Sequence, residues 1–293
     1  EGKILLEDDG WFEGVVKDVS SSYQEDRFVF GVYHPGKVIE LFKWILLLLC
    51  IMFLVVILIV IENPYKIPVD FKFMNAKEHG LNCPVTVGTD LFVGGKIKCT
   101  ENASVAFGYS FEMFVLYAQS LGIGTTWLGG TMNRSAFEDA MELDSDEIMP
   151  CASPLGYPAK KMSIRESMMR KGVKADERLP FEELFFDGSF DKPLSKENAG
   201  KWTESLEMVR LAPSAVNKQP WRVIATDNAV HFYLKRSKGF ARTEKLDMQM
   251  IDIGIALCHF DLTAKENNLN IVFEQNNPNL ESDAEYIASY RLV

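Results

Sequence analysis

The chain has 293 residues, of which 47% are hydrophobic and 25% are charged, and this composition excludes a fully disordered or collagen-like protein. Its net charge of −10 argues against a main function in binding nucleic acid. The five cysteines have no C-x-x-C spacing, so we predict no metal site and no disulfide framework, and we expect reduced thiols in the cytoplasm.

The first feature along the chain is an apolar run at residues 44–61, which follows a polar and aromatic segment of unknown role at residues 1–43. The run carries no charge and is about as long as the shortest helix that crosses a bilayer. Its flanking lysines are balanced and give no orientation. An all-apolar helix is also found buried inside proteins. The run therefore predicts either a membrane anchor or a buried element of the fold.

The remaining residues, 62–293, alternate strand and helix patterns. The pattern predicts strands at Val69–Phe73, Pro84–Gly88 and Leu91–Val93, and a hairpin formed by Trp221–Thr226 and Ala229–Lys235. It predicts helices at Ser110–Leu121, Phe137–Met141, Glu204–Leu211 and Ile251–Glu266, with a long connection at residues 160–200. This mixed order favours an α+β fold in which helices pack on a mixed sheet.

Two short matches suggest an internal duplication. Residues Leu116–Ile123 match Leu262–Leu269, and residues Val87–Asp90 match Ile224–Asp227 in the same order. Two matches of this length also arise by chance. If they are genuine, they imply two similar halves, at about 62–159 and 200–293, which pack face to face as a pseudo-dimer within one chain.

The most informative stretch is a loop between Pro213 and Pro220, which is rich in small and amide side chains. Ser214, Asn217 and Gln219 carry groups that both donate and accept hydrogen bonds. Such groups suit a flat heterocycle edged with carbonyls and ring nitrogens. A capped turn whose polar groups satisfy one another is the alternative.

Two further stretches have features that suit a ligand. Residues 121–130 are rich in glycine, which allows a backbone to approach a ligand closely, although for Gly122 alone a helix C-cap is the favoured interpretation. Residues 160–178 contain seven positive and three negative side chains, and such a segment can hold a phosphate by charge-assisted hydrogen bonds. A solvated connector is the alternative for this basic segment.

Together these stretches resemble the nitroreductase superfamily of flavin proteins. The loop PSAVNKQPWR at Pro213–Arg222 is similar to the family's signature loop, and GIGTTW at Gly122–Trp127 is similar to the end of a family helix. LGYPA at Leu155–Ala159 and RLPFEE at Arg178–Glu183 resemble two further family segments. The Gly-rich helix precedes the loop, and this order resembles the "putative TM nitroreductase" subfamily, in which one chain holds two half-units.

The resemblance implies FMN between the halves and a hydride passed from NADH or NADPH, through flavin N5, to a nitroaromatic, quinone or similar small acceptor. Because the cofactor carries the chemistry, no catalytic side chain is required. It implies one flavin site per chain, in a monomer or a homodimer. The implied cofactor-binding residues are the loop residues Pro213, Ser214, Asn217, Gln219 and Trp221, the backbone of Gly122, Ile123, Gly124 and Thr125, and the phosphate-binding Lys174 and Arg178.

One feature departs from the family pattern. Family members begin with an Arg-Arg-Ser-x-Arg segment that binds the FMN phosphate, but the only arginine before the run's end at Ile61 is Arg27. Each lost charged hydrogen bond is worth about 1.5–3 kcal/mol. The leading hypothesis is therefore an FMN-dependent oxidoreductase with a cytoplasmic catalytic domain, anchored through 44–61 if the run spans a membrane. The alternative is a nitroreductase-fold protein with weak or no flavin turnover that acts as a membrane-tethered binding module.

Overall fold

A computed structural model describes residues 61–86, 88–159, 161–162, 164–240 and 242–293, with the backbone alone for Arg165. The predictions for residues 1–43 and for the apolar run up to residue 60 lie outside these described residues. Among the described helices, none combines the length and the apolar character that crossing a bilayer requires.

The first sheet has four strands: β1 (Asp70–Asn75), β2 (Leu91–Lys98), β3 (Glu147–Ile148) and β4 (Ala152–Pro154). β2 pairs antiparallel with each of the other three. Alternation along β1 turns Phe71 and Phe73 to the same face, where both rings pack against Phe114 of the following long helix. The sheet therefore has one face covered by a helix, as the sequence predicts.

The second sheet has five strands in the order β5-β6-β7-β9-β8. They are β5 (Phe185–Asp187), β6 (Trp221–Ala225), β7 (Ala229–Leu234), β8 (Ile271–Glu274) and β9 (Glu285–Leu292). β5 and β6 are parallel, and every other pair is antiparallel. The predicted hairpin is confirmed as β6 and β7, which turn at Asp227 and Asn228.

The described helices are α1 (Ala76–His79), α2 (Ala103–Ser120), α3 (Arg134–Met141), α4 (Ile164–Gly172), α5 (Phe181–Leu184), α6 (Thr203–Leu211) and α7 (Met248–Glu266). α7 begins three residues before its prediction because the Asp247 side chain accepts hydrogen bonds from Gln249 N and Met250 N, which caps the helix there. The predicted connection at 160–200 contains α4, α5 and β5.

One strand prediction is wrong. Residues 84–86, within the predicted strand Pro84–Gly88, form a turn in which Thr86 N donates to the carbonyl of Cys83 at 3.0 Å. Proline has no N–H for a strand ladder, so Pro84 favours the turn. Residue 87 lies outside the described part of the chain.

The long helices α2 and α7 cross at two glycines. A Cβ added to Gly108 would lie 2.1 Å from the carbonyl oxygen of Ile251, and one added to Gly254 would lie 2.0 Å from that of Val105. The two contacts are reciprocal, because Gly108 to Gly254 and Val105 to Ile251 are both steps of 146 residues. The same step of 146 residues relates Leu116–Ile123 to Leu262–Leu269.

The strands around this crossing repeat the same arrangement. In β1-β2-β4 and in β6-β7-β9, the middle strand pairs antiparallel with both neighbours. In each set, a long helix (α2 or α7) follows the middle strand and precedes the third in the chain. This repeat agrees with the duplication that the sequence suggests.

Candidate flavin-binding site

The loop between α6 and β6 has a strained backbone. Val216, Asn217 and Gln219 have φ values of 43°, 56° and 48°, all in the left-handed region. This region costs a residue other than glycine about 1–3 kcal/mol, and it is least suited to a β-branched side chain such as Val216. Three such residues within four positions persist only where surrounding contacts hold them, and strain of this kind clusters at ligand-binding and active sites.

The contacts that hold this loop come from the segment after α4. The Asn217 amide donates to the carbonyl of Lys174 at 2.6 Å and to that of Glu177 at 2.9 Å. The Gln219 side-chain oxygen accepts a hydrogen bond from Leu179 N at 3.0 Å, and Gln219 is buried. The structure therefore joins two stretches that the sequence analysis singled out separately, and it uses two of the predicted ligand side chains to do so.

Arg178 stabilises the contact between the loop and the segment after α4. Its guanidinium donates to the carbonyls of Leu211 at 3.0 Å and Ala175 at 2.8 Å, and to the side-chain oxygen of Asn217 at 3.3 Å. Burial is the main cause that lowers the pKa of Arg178 from its ordinary value, and the nearby charge of Arg210 lowers this pKa further. A predicted phosphate ligand is thus used mainly to fix the loop, in a locally positive environment.

The other predicted residues of the loop lie on the accessible side of the loop or beneath the loop. Pro213 and Ser214 are half-buried, and the Ser214 hydroxyl oxygen accepts a hydrogen bond from Gln219 N at 2.8 Å. Trp221 is fully buried at the start of β6, and its indole N–H has no partner among the described residues. Ser214 is therefore the predicted polar side chain that is best placed to meet a ligand.

A buried carboxyl group that no sequence motif indicates lies beneath the loop. Asp252 of α7 accepts a hydrogen bond from Ala215 N at 2.9 Å through one oxygen, and its other oxygen has no partner in the described part of the chain. Burial raises the pKa of Asp252 to about 7. The available signal was a charged residue between Ile251 and Ile253, on a helix that is otherwise apolar at this point.

We expect Asp252→Asn to change the pH dependence of stability. The folded-state pKa of about 7 lies above the usual aspartate value, so the folded state keeps a proton that the unfolded state loses. Wild-type stability should therefore fall as pH rises from about 4 to about 7. The neutral amide avoids this loss, so the variant should gain about 2–4 kcal/mol relative to wild type between pH 5 and pH 8, at about 1.4 kcal/mol per pKa unit.

Urea unfolding of wild type and Asp252→Asn at pH 5 and at pH 8 measures the change in stability. Asp227→Asn in the exposed β6–β7 turn is the matched control, and its effect on the free energy of unfolding should be small at both pH values. An Asp252→Asn effect of the same size at pH 5 and pH 8 would show that Asp252 does not retain a proton in the folded state.

The Gly-rich stretch closes the end of α2. Gly122 has a φ of 73°, and Gly122 N and Ile123 N donate to carbonyls of the last helical turn, as in a helix C-cap. Gly124 N donates to the carbonyl of Gly156 at 2.7 Å. Much of the backbone predicted to approach a flavin is therefore already hydrogen-bonded within the fold.

This stretch and the loop both lead to the first turns of α7. Gly129 lies beside Met248, because a Cβ built on Gly129 would be 3.7 Å from the Met248 side chain, and the loop meets Asp252 one turn further on. No hydrogen bond in the described residues joins Gly122–Thr125 directly to the loop. The structure thus brings Lys174, Arg178 and the loop together, but it does not join Gly122–Thr125 to them by any hydrogen bond among the described residues.

A second link to α7 starts from Trp127. Its indole N–H donates to Glu112 of α2 at 3.0 Å, and the other Glu112 oxygen lies 2.8 Å from His259 Nε2. Glu112 is buried, and the His259 side chain is only 14% exposed. His259 is therefore a mostly buried histidine whose ring nitrogen has a hydrogen-bond partner within the fold.

Comparisons with known proteins place these features in a family. A family model described as "Putative TM nitroreductase" matches residues 60–264. A solved structure described as a "putative nitroreductase" from Thermotoga maritima is 20% identical, with a TM-score of 0.46, and the match covers 76% of this chain and 75% of that one.

Two other solved structures are more distant. A "putative nitroreductase" from Anabaena variabilis is 10% identical with a TM-score of 0.39, and the match covers 72% of this chain and 70% of that one. A structure described as "the oxidoreductase containing FMN" is 11% identical with a TM-score of 0.31, and the match covers 42% and 71% of the two chains. No curated protein matches. Because the family model spans most of the 293 residues, this chain belongs to the TM nitroreductase family, a family of oxidoreductases.

Proposed function

We propose that this protein is an FMN-dependent oxidoreductase that passes a hydride from NADH or NADPH, through flavin N5, to a nitroaromatic, quinone or similar small acceptor. The observation that carries the proposal is the strained loop Pro213–Trp221, in a chain of a nitroreductase family. Strain at three non-glycine residues within four positions has a cost, and a loop that presents polar groups to a ligand accounts for it.

The accessible side of the loop suits the ring system of a flavin. The Ser214 hydroxyl uses its oxygen as an acceptor, so its hydrogen is left to donate to a ring carbonyl or nitrogen. Beneath the loop, the buried Asp252 carboxyl has one oxygen without a partner among the described residues, so a polar group lies directly behind the loop. The free donor of Ser214 supports a heterocycle edged with acceptors, as the isoalloxazine ring is.

The positive side chains that would hold the FMN phosphate, Lys174 and Arg178, already have partners within the fold. Lys174 pairs with Glu177 at 3.0 Å on an exposed surface, and such a pair is weak enough to exchange for a phosphate. Arg178 is held by backbone carbonyls, and it lies close enough to Arg170 and Arg210 for their charges to lower its pKa. We propose that Lys174 contacts the phosphate, while Arg178 fixes the loop and adds to the positive potential.

In this arrangement the residues of the chain bind and orient, and no side chain acts as an acid or base. When bound, FMN supplies the hydride chemistry at its own ring nitrogen. The left-handed loop would fix the position of Ser214, and Asn217 and Gln219 would keep the loop in place. The backbone of Gly122–Thr125 would lie near the ring edge through its connection to α7.

We also propose that the protein works as a pseudo-dimer, with halves at about 62–159 and 200–293. The reciprocal contacts of Gly108 and Gly254 and the repeated strand order support this arrangement. An isologous contact between two identical subunits has the same reciprocity. The first half lacks a Ser-Asn-Gln loop, so one flavin site per chain is expected, and a monomer is sufficient for function.

The absorbance spectrum of the purified full chain, with and without added FMN, tests this proposal. A flavin spectrum and oxidation of NADH or NADPH with menadione or a nitrofuran are expected. A colourless protein that takes up no FMN would overturn the proposal. Bound flavin without oxidation of either nucleotide would favour the binding module instead, which the missing Arg-Arg-Ser-x-Arg segment motivates. Anchoring of a cytoplasmic catalytic domain through 44–61 stays a prediction.

A further inference from the structure

The helix α4 (Ile164–Gly172) is exposed along its whole length. None of its described side chains is buried, and Ile164 and Met168 are 83% and 70% exposed. Short helices in proteins usually depend on packing of an apolar face. Half of the ten exposed large hydrophobic side chains in the described part of the chain lie in and beside this helix: Met162, Ile164, Met168, Met169 and Val173.

These apolar side chains lie on two sides of the helix and are here called the apolar strip. Ile164 and Met168 are four residues apart and therefore share one side of the helix, and Met169 and Val173 have the same spacing on the adjacent side. The strip ends beside the loop Pro213–Trp221, here called the flavin loop. The carbonyl of Lys174, which follows Val173, accepts a hydrogen bond from the Asn217 side-chain amide in that loop. A cluster of exposed apolar side chains of this size is typical of a binding surface.

Positive charge accompanies the strip. Lys161 and Lys171 are exposed and form no ion pair with any described residue, while Arg170 and Lys174 pair with Asp176 and Glu177. The segment 160–178 carries seven positive and three negative side chains in a chain of net charge −10. The protein as a whole would therefore be repelled by an anionic surface, and this segment is the part that would be attracted.

We propose that the α4 patch, which consists of residues 161–162 and 164–174, docks on an anionic phospholipid surface. A helix with apolar side chains and flanking lysines lies in the plane of the membrane interface, with its apolar side in the acyl boundary and its lysines at the headgroup phosphates. A free phosphate would use the lysines but leave Ile164 and Met168 exposed. A lipid surface provides a partner for both features at once.

Docking in this way would place the flavin loop near the lipid, because Asn217 ties that loop to Lys174. This consequence rests on the proposed function: an acceptor that dissolves in lipid, such as a quinone, would then reach the flavin from the membrane side. The patch is separate from the apolar run at 44–61, so the test must report on α4 itself.

Hydrogen–deuterium exchange of the full chain gives such a local readout. We expect amide protection of α4 to increase on addition of vesicles that mix phosphatidylglycerol with phosphatidylcholine, and to stay unchanged with phosphatidylcholine alone. Flotation of the same mixtures measures binding, which should weaken as salt concentration rises. FMN uptake measured without vesicles tests the proposed function separately, and either result can fail without the other.

Two sets of variants test the two parts of the patch. Ile164→Ser with Met168→Ser should lower vesicle affinity about tenfold or more, because two apolar side chains lose their burial. Lys161→Glu with Lys171→Glu should also lower it more than tenfold, at about fivefold or more for each lysine. Val272→Ser with Lys238→Glu alters an exposed apolar residue and an exposed lysine elsewhere, and should have no effect.

Three results would overturn the proposal. They are α4 exchange that is unaffected by anionic vesicles, a loss of affinity in the Val272 and Lys238 control that equals the loss in the patch variants, and α4 amides that are already protected before any vesicle is added. The last result would show that α4 is covered by protein, either by this chain or by a partner with an acidic, apolar surface.

Discussion

Gly108→Ala and Gly254→Ala should each lower the free energy of unfolding by about 3 kcal/mol or more, at the upper end of the range for overpacked cores. Alanine normally stabilises a helix interior by about 0.5–1 kcal/mol relative to glycine, so the expected sign is reversed. The cause is that each new methyl group would lie 2.0–2.1 Å from a backbone carbonyl oxygen of the opposite helix. Neither oxygen can move unless α2 and α7 separate.

Gly172→Ala in α4 is the matched control, because a Cβ there meets nothing within 4 Å. We expect it to be neutral or slightly stabilising, by up to about 1 kcal/mol. The double variant Gly108→Ala/Gly254→Ala should cost less than the sum of the single variants, because the same separation of the helices relieves both contacts. Urea unfolding measures all four proteins, and soluble yield reports any variant that fails to fold. Additive effects would show that the two contacts are independent.

Much of the second half of the fold could be predicted from local sequence patterns. The hairpin around Asp227 and Asn228 has alternating strands and a turn, and α7 has a long apolar pattern, so both were found. α2 was placed seven residues too late because its first two turns, from Ala103, are buried on nearly every side and show little amphipathic periodicity. The strand predicted at Pro84–Gly88 is wrong. Its β-branched residues favour a strand, but Pro84 has no N–H for a strand ladder and favours the turn.

The candidate site was predictable in its location but not in its hydrogen bonding. The residue types of Ser214, Asn217 and Gln219 indicate polar recognition, yet the sequence alone does not show whether they face a ligand or one another. The structure directs Asn217 and Gln219 inwards, where Asn217 accepts a hydrogen bond from Arg178 and Gln219 accepts one from Leu179 N. Asp252 lies 37 residues from Ala215 in sequence, so only the packing of α7 beneath Ala215 brings it to the site.

Asn217→Ala should raise the dissociation constant for FMN about a hundredfold. The change removes the donors to Lys174 and Glu177 and the acceptor for Arg178, and three hydrogen bonds at about 0.5–1.5 kcal/mol each account for a loss of this size. Alanine also tolerates the left-handed backbone less well than asparagine. The loop should then relax away from the strained form that positions Ser214. Quenching of FMN fluorescence measures the affinity without relying on turnover.

Two controls separate the possible causes. Asn268→Ala replaces an exposed asparagine that also has a left-handed backbone, with a φ of 57°, after α7, and it should leave FMN affinity unchanged. Asn217→Gly keeps the left-handed backbone accessible but still removes the side-chain hydrogen bonds. If the hydrogen bonds hold the loop, Asn217→Gly should weaken FMN binding nearly as much as Asn217→Ala. Near-normal affinity in Asn217→Gly would mean that backbone conformation alone sets the site. Unchanged affinity in both variants would show that the loop does not bind the flavin.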